Sequence, residues 1–183
     1  MMTMLQDHQY VKEHVRIVPD FPKEGIMFLD ITTAIKDAKA MQIMIDFLYE
    51  NFKNEKVDYV AGIESRGFIF GAALAYKLNC GFITIRKPNK LPAETIKEDY
   101  SLEYGTNTIE IHVDALKEGD RVVVIDDLLA TGGTAIAACN LIKKVGAEVV
   151  STAFIIELDP LKGREKIEAN GYKVLSMLNY DLD

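Results

Sequence analysis

A run of four β-branched residues, Val122 to Ile125, stops at the paired carboxylates Asp126 and Asp127, and the chain continues through Leu128, Leu129, Ala130, Thr131, Gly132, Gly133 and Thr134. No other stretch restricts the fold as tightly. Consecutive strand side chains point to opposite faces, so four apolar ones in a row need cover on both faces, as in the middle of a parallel sheet. Beyond Thr134 the period changes. Ile136, Cys139, Ile142 and Val145 fall three apart, with Ala135, Ala138 and Leu141 on the flanks, which is a helical pattern. In a strand–loop–helix unit the free amides of the first helical turn face the crevice beyond the strand end and favour an anion there.

Two features narrow the anion. Paired glycines let the backbone approach a phosphate closely, and the hydroxyls of Thr131 and Thr134 can donate to its oxygens. Each such helix-terminal contact is worth about 0.3–1 kcal/mol when exposed, so several must act together. Asp126 and Asp127 repel a phosphate but suit neutral hydroxyls or a metal ion. A sugar phosphate has both ends. The plainer alternative is that the two acids end a strand and the two glycines turn the chain. Neither GxxxxGK[ST] nor GxGxxG occurs, which takes support from nucleoside-triphosphate and dinucleotide sites of those kinds.

At 183 residues the chain has the length of one well-buried domain, and its formal net charge of −7 argues against a nucleic-acid or anionic-membrane surface. An anionic substrate would need a local positive site. No run reaches the ~20 apolar residues of a membrane span, and the first ten residues lack the basic start and apolar centre of a signal peptide. Cys80 and Cys139 sit among apolar or small residues, as reduced thiols of a cytoplasmic protein would; a catalytic thiol has no adjacent histidine to support it.

Residues 4 to 17 read as a helix. The following IVPDFPKEGIMFLDIT is too rich in Pro and Gly for a regular element, yet too apolar for a solvated loop, so it should pack over something. Asp37 is a candidate N-cap for a helix carrying Met41, Ile45, Leu48 and Phe52. Val57 to Ile63 is a buried strand followed by Glu64, Ser65, Arg66 and Gly67 and then an apolar helix, a second unit that delivers its loop to the same sheet edge. Alone, that loop is equally a solvated turn. Gly81 to Ile85 is a further strand that closes on Arg86, Lys87 and Lys90, the local positive charge the acidic chain otherwise lacks. Residues 88 to 107 show no clear period, and ordered loops that long are usually lids or binding loops; a surface β-hairpin is the alternative. Thr108 to Val113 alternates like an exposed edge strand. Val149 to Ile156 is another buried strand, a short helix runs from near Pro160 to Gly171, and Tyr172 to Leu178 makes the last strand.

IDDLLATGGT resembles the phosphoribosyl-diphosphate (PRPP) motif of the type I phosphoribosyltransferases, and its wording is similar to that of the adenine phosphoribosyltransferases. Specific as a set, the motifs that carry the likeness span Val15 to Leu178 or so. The resemblance implies that Asp126 and Asp127 hold the ribose hydroxyls and that Ala130, Thr131, Gly132, Gly133 and Thr134 hold the 5′-phosphate. AGIESRGF resembles a diphosphate loop, which implies roles for Glu64, Ser65 and Arg66 and a cis peptide at Glu64–Ser65. Arg86, Lys87 and Lys90 would join them, partly in a neighbouring subunit's site, so a homodimer is implied. FPKEGIMFLDIT resembles an adenine-binding hood, with main-chain groups of Met27 and Leu29 on the base edge and the base between Phe28 and Leu158; arginine is usual where Leu29 stands. YSLEYG resembles a mobile catalytic loop, with Glu103, beside Tyr104, as the proton-handling group; Arg66 joins the catalytic set. Mg²⁺ would be carried chiefly by the substrate and water, with no protein metal site.

The implied protein is an α/β domain spanning 1–183, with a doubly wound, mostly parallel sheet flanked by helices. Residues 1–35 or so give a helix and the hood, and about 88–107 a flexible catalytic loop. It would transfer the phosphoribosyl group of PRPP to adenine, giving AMP and diphosphate. Two other readings stay open: transfer to another purine base, and a PRPP-sensing regulator without turnover.

Overall fold

In a computed structural model that describes residues 3–101 and 106–181, the elements in chain order are α1 (Met4–His14), β1 (Arg16–Val18), β2 (Phe28–Asp30), α2 (Thr32–Lys36), α3 (Ala38–Phe52), β3 (Tyr59–Ile63), α4 (Gly67–Leu78), β4 (Gly81–Ile85), β5 (Thr95–Ser101), β6 (Thr106–His112), β7 (Arg121–Leu129), α5 (Gly133–Lys144), β8 (Glu148–Leu158), α6 (Gly163–Ala169) and β9 (Val174–Tyr180). The main sheet has the order β4-β3-β7-β8-β9, and every pairing in it is parallel. The apolar run of β7 sits at its centre and is covered on both faces. Val123 and Ile125 join Phe70 and Leu74 of α4 and Met44 and Leu48 of α3 in one core. Val122 and Val124 join Ala138, Leu141 and Ile142 of α5 in the other. The doubly wound, mostly parallel architecture is the one the sequence implies.

Several local expectations need correction. The first helix ends at His14, not residue 17, because Arg16–Val18 pairs antiparallel with Phe28–Asp30 and so gives the Pro- and Gly-rich segment a small sheet of its own. Asp126 and Asp127 do not end β7. The strand runs through them to Leu129 because β8 keeps pairing alongside, Asp126 with Phe154 and Leu129 with Glu157. The short helix that was expected from near Pro160 is a 3-10 turn, Asp159–Leu161, followed by α6.

Much of the segment expected to be an irregular loop is the β5–β6 hairpin, in register from Thr95↔His112 to Ser101↔Thr106. Nor is the stretch expected as an exposed edge strand exposed: Ile109 and Ile111 are buried under α5. The period is hidden by Glu98, a charged residue at an inward-facing position. Asn140 donates to it at 3.0 Å and Lys144 pairs with it, which satisfies the carboxylate against the helix. At α3 the expected cap is present, with Asp37 accepting from the Ala40 amide at 2.8 Å.

Candidate active site

Both strand–loop–helix units deliver their loops to the carboxyl edge of the sheet, β7 to α5 and β3 to α4. Ala130, Thr131, Gly132, Gly133 and Thr134 together line a small cavity of about 80 Å³, along with Asp126 and Phe154. Gly132 precedes α5 at φ +81°, a left-handed conformation that glycine adopts freely.

A second, polar cavity of about 270 Å³ shares Asp126 with the first and is lined by Glu64, Ser65, Arg66, Lys87, Asp126 and Asp127. The Glu64–Ser65 peptide is cis. Arg66 Nε donates to Asp127 Oδ2 at 2.5 Å, and the Asp127 amide donates to Asp126 Oδ1 at 2.9 Å. Burial and the neighbouring Asp127 carboxylate push the Asp126 carboxyl well above the ordinary range. The Arg66 pKa is raised as well: burial would lower it, but the carboxylates of Asp127, Asp126 and Asp30 outweigh that. Gly67 brings the start of α4 against these acids, since a Cβ there would lie 2.6 Å from the Ile125 carbonyl and 3.1 Å from Asp126 Oδ1.

Other basic residues are placed less directly. Arg86 Nε donates to Glu64 Oε2 at 3.1 Å and its Nη1 to the Lys90 carbonyl at 3.1 Å, while the Lys87 amide donates to Glu64 Oε2 at 3.0 Å. Burial alone would raise the Glu64 pKa, but these partners outweigh it and lower it. Glu64 thus gathers the basic stretch, Lys87 reaches the cavity wall, and Arg86 and Lys90 are not among its lining residues.

The hood contributes a third, wider cavity of about 520 Å³, lined by Arg16, Ile17, Val18, Pro19, Phe21, Phe28 and Asp30. Phe21 and Phe28 meet edge to face at 5.1 Å. On β2, Phe28 and Asp30 face this cavity while Leu29 between them is 5% exposed in the core with Val11, Val15 and Ile31. That alternation explains how a leucine sits there: its side chain points away from the cavity. Met27 is exposed. Leu158, at the end of β8, packs on the same core as Leu29 and is not among the residues lining the hood cavity. Glu103 and Tyr104 lie outside the described residues.

Sequence reading missed the Arg16–Asp30 pair, with Nη2 to Oδ2 at 2.6 Å across the two hood strands. The Thr32 hydroxyl first, then Arg16, lower the Asp30 carboxyl to about 2. The available signal was a basic residue opening one short apolar stretch, Arg16-Ile17-Val18, and an acidic one closing another, Phe28-Leu29-Asp30, on either side of a proline-rich turn.

The sequence profile of the phosphoribosyl transferase domain matches residues 32–181. The adenine phosphoribosyltransferase of Koribacter versatilis is 55% identical over 174 residues, covering 95% of this chain and 94% of that protein. That of Chlorobium luteolum is 54% identical, covering 93% of this chain and 98% of its own. Among solved structures, adenine phosphoribosyltransferase from Thermoanaerobacter pseudethanolicus superposes with a TM-score of 0.90 at 49% identity, covering 94% of this chain and 99% of that one. The Saccharomyces cerevisiae enzyme, solved with an imino-altritol bisphosphate and adenine, gives 0.88 at 39% identity, with coverage of 95% and 99%. The chain belongs to the phosphoribosyltransferases and, within them, to the adenine phosphoribosyltransferases.

Proposed function

We infer that the protein transfers the 5-phosphoribosyl group of PRPP to adenine, releasing AMP and diphosphate. The observation that carries the reading is the pair of adjoining cavities that share Asp126: a glycine–threonine cradle on one side, an acid pair with Arg66 and Lys87 on the other. In this reading the cradle, Ala130 to Thr134, takes the 5′-phosphate through backbone amides and hydroxyls. Asp126 and Asp127 accept from the ribose hydroxyls. Arg66 and Lys87 face the diphosphate, with the Glu64–Ser65 peptide turned toward it, and Arg86 acts by holding Glu64 in place. A base ring nitrogen bonds to the ribose carbon as the carbon–oxygen bond to diphosphate breaks, and the diphosphate leaves with the bonding pair. Charge on the leaving group is what the basic residues stabilise.

In the hood, the ring of Phe28 stacks on the face of adenine and the main chain at Met27 and Leu29 reads its edge, with Leu158 on the opposite side. Glu103, beside Tyr104, handles the proton the base loses, a role worth about 10²–10⁴ in rate. Residues 1–183 act as one unit, with about 1–35 the base side and the β5–β6 hairpin carrying the segment that closes over the diphosphate.

The residues present fit a magnesium ion. Asp126, crowded by Asp127, gains from a nearby cation, and all the acids offered are hard oxygen donors. The ion would be held chiefly by substrate oxygens and water, with Asp126 and Asp127 beside it. When bound it neutralises the diphosphate. Lys90, exposed beside the site, suits a homodimer in which the basic stretch reaches a second copy. No helix among the described residues is long and apolar enough to cross a membrane. Unpaired Cys80 and Cys139 suit a cytoplasmic enzyme.

The test is incubation with PRPP, Mg²⁺ and a panel of purines, with chromatography of the nucleotide formed. AMP from adenine alone is expected. IMP or GMP formed at a comparable rate would move the base assignment, and tight PRPP binding without any nucleotide would favour a regulator. Glu103→Ala should lower kcat and leave PRPP binding nearly intact; an unchanged kcat removes Glu103 from the reaction.

A further inference from the structure

We propose that Gly163 and Arg164, at the start of α6, are positioning residues for the 5′-phosphate cradle: they set where the backbone of Ala130 to Gly132 stands. The inference rests on the reading of that cradle given above and assigns it a support from a different part of the chain.

The first observation is contact without side chains. A Cβ at Gly163 would lie 2.2 Å from the Ala130 carbonyl oxygen, 2.8 Å from Leu129 Cδ1 and 3.1 Å from the Ala130 carbonyl carbon. From the other side, a Cβ at Gly132 would lie 2.9 Å from the Gly163 carbonyl oxygen and 3.3 Å from its Cα. Backbone rests directly on backbone here, and both surfaces are bare because each residue is glycine. Flexible side chains could yield to an added methyl group. A carbonyl at 2.2 Å cannot, so the cradle itself must shift.

The second observation is what holds α6 at that height. Arg164 Nε donates to Glu157 Oε1 at 2.9 Å, Nη2 to Glu157 Oε2 at 2.5 Å and to Ser176 Oγ at 2.7 Å, and Nη1 to the Val174 carbonyl at 3.0 Å. Glu157 is 4% exposed. A planar guanidinium thus joins α6 to the ends of both β8 and β9 through bonds of fixed direction, which an ammonium cannot reproduce. Below it, Ile167 is fully buried with Leu129, Ala135 and Phe154, so the same short helix also packs under the two ends of the cradle.

The physical consequence is selective. Amides that bind a phosphate work together only when all point at one place, and a displacement of about 1 Å can cost up to about 10²-fold. Loss of the support should therefore fall on the phosphorylated substrate and spare the base.

The test uses the full chain, with Gly163→Ala to press on the cradle and Arg164→Lys to loosen the clamp while keeping charge beside Glu157. For each, PRPP and adenine KM, kcat, and PRPP binding by calorimetry without adenine are measured. A rise of about 10-fold or more in PRPP KM and Kd, with adenine KM and kcat within about twofold, is expected. Unchanged PRPP affinity in the variants overturns the proposal, as does a loss shared equally by both substrates, which would mark a merely structural role. If Gly163→Ala does not fold, Arg164→Lys decides alone. Calorimetry separates this outcome from the base assignment: PRPP binding by a wild-type protein that makes no AMP would count against the reaction and still report on the cradle.

Discussion

The cradle proposed for the phosphate and the hood proposed for the base are corners of one fold built by opposite means. At the cradle the backbone does the work. Gly132 and Gly163 let main chain pack on main chain, and a nine-residue strand and a twelve-residue helix anchor its ends. The hood is two three-residue strands joined across a proline-rich turn, with Phe21 51% exposed and Ile26 and Met27 open to solvent. Phosphate binding asks for amides at fixed positions and little else. Base recognition asks for an aromatic face and a particular order of donors and acceptors, which a small, side-chain-rich corner can supply. The contrast predicts that substitutions divide by substrate.

The largest effect should come from the acid pair. Exchange of both Asp126 and Asp127 for Asn would remove the two charge-assisted contacts proposed to the ribose, each worth about 1.5–3 kcal/mol, and should lower kcat/KM for PRPP about 10³-fold. Adenine KM should move by no more than about threefold, because the hood cavity and the acid-lined cavity share no lining residue. Equal losses for both substrates would break the division.

Phe28→Ala should give the mirror image. Base–aromatic stacking is worth about 1–3 kcal/mol, so adenine KM should rise about 10–100-fold with PRPP KM nearly unchanged. Leu29→Ala sharpens the point on the same strand. Its side chain points into the core, so Tm should fall, as for a buried Leu→Ala costing about 2–5 kcal/mol, while adenine KM holds. A large change in adenine KM would show that the Leu29 side chain, not its main chain, meets the base.

The same contrast governs what was legible beforehand. Cradle residues are contiguous in sequence, and a strand, two acids, a glycine pair and a helical period must fold into one compact unit. That local determination is why Ala130 to Thr134 appear together in one cavity. The basic stretch was visible as charge, but not that Arg86 would bind Glu64, since that pairing depends on β3 and β4 lying in register. The hairpin was obscured because Glu98 holds an inward position that only Asn140 and Lys144, far along the chain, make tolerable. Gly163 against Ala130 leaves no local trace either. A glycine in a charged helix looks like a stop signal until the fold brings a carbonyl against it.

The smallest effect concerns stability, and it separates the corners by their cost to the empty protein. Burial and Asp127 raise the Asp126 carboxyl above its unfolded value, so folding favours its protonated form. Its stabilising contribution is therefore complete below the unfolded carboxylate range and is lost as pH rises through the folded value. Wherever Asp126 is ionised, its buried charge beside Asp127 works against the fold. The single change Asp126→Asn keeps the shape and an acceptor for the Asp127 amide while removing that charge. In calorimetric scans without ligand, Tm should rise by about 2–4 °C, equivalent to about 1 kcal/mol in a chain of this size. The gain should shrink as the pH is lowered toward the ordinary carboxylate range. Added PRPP and Mg²⁺ should reverse the order, since only the wild type then gains its full set of ribose contacts. No such charge strain is built into the hood, where Asp30 is lowered to about 2 and so stabilises the fold at every pH above the ordinary carboxylate range, losing that contribution only as pH falls toward 2. Asp30→Asn should accordingly lower Tm at neutral pH, and an equal rise in both variants would remove the distinction between a corner kept poised for its ligand and one that is already satisfied.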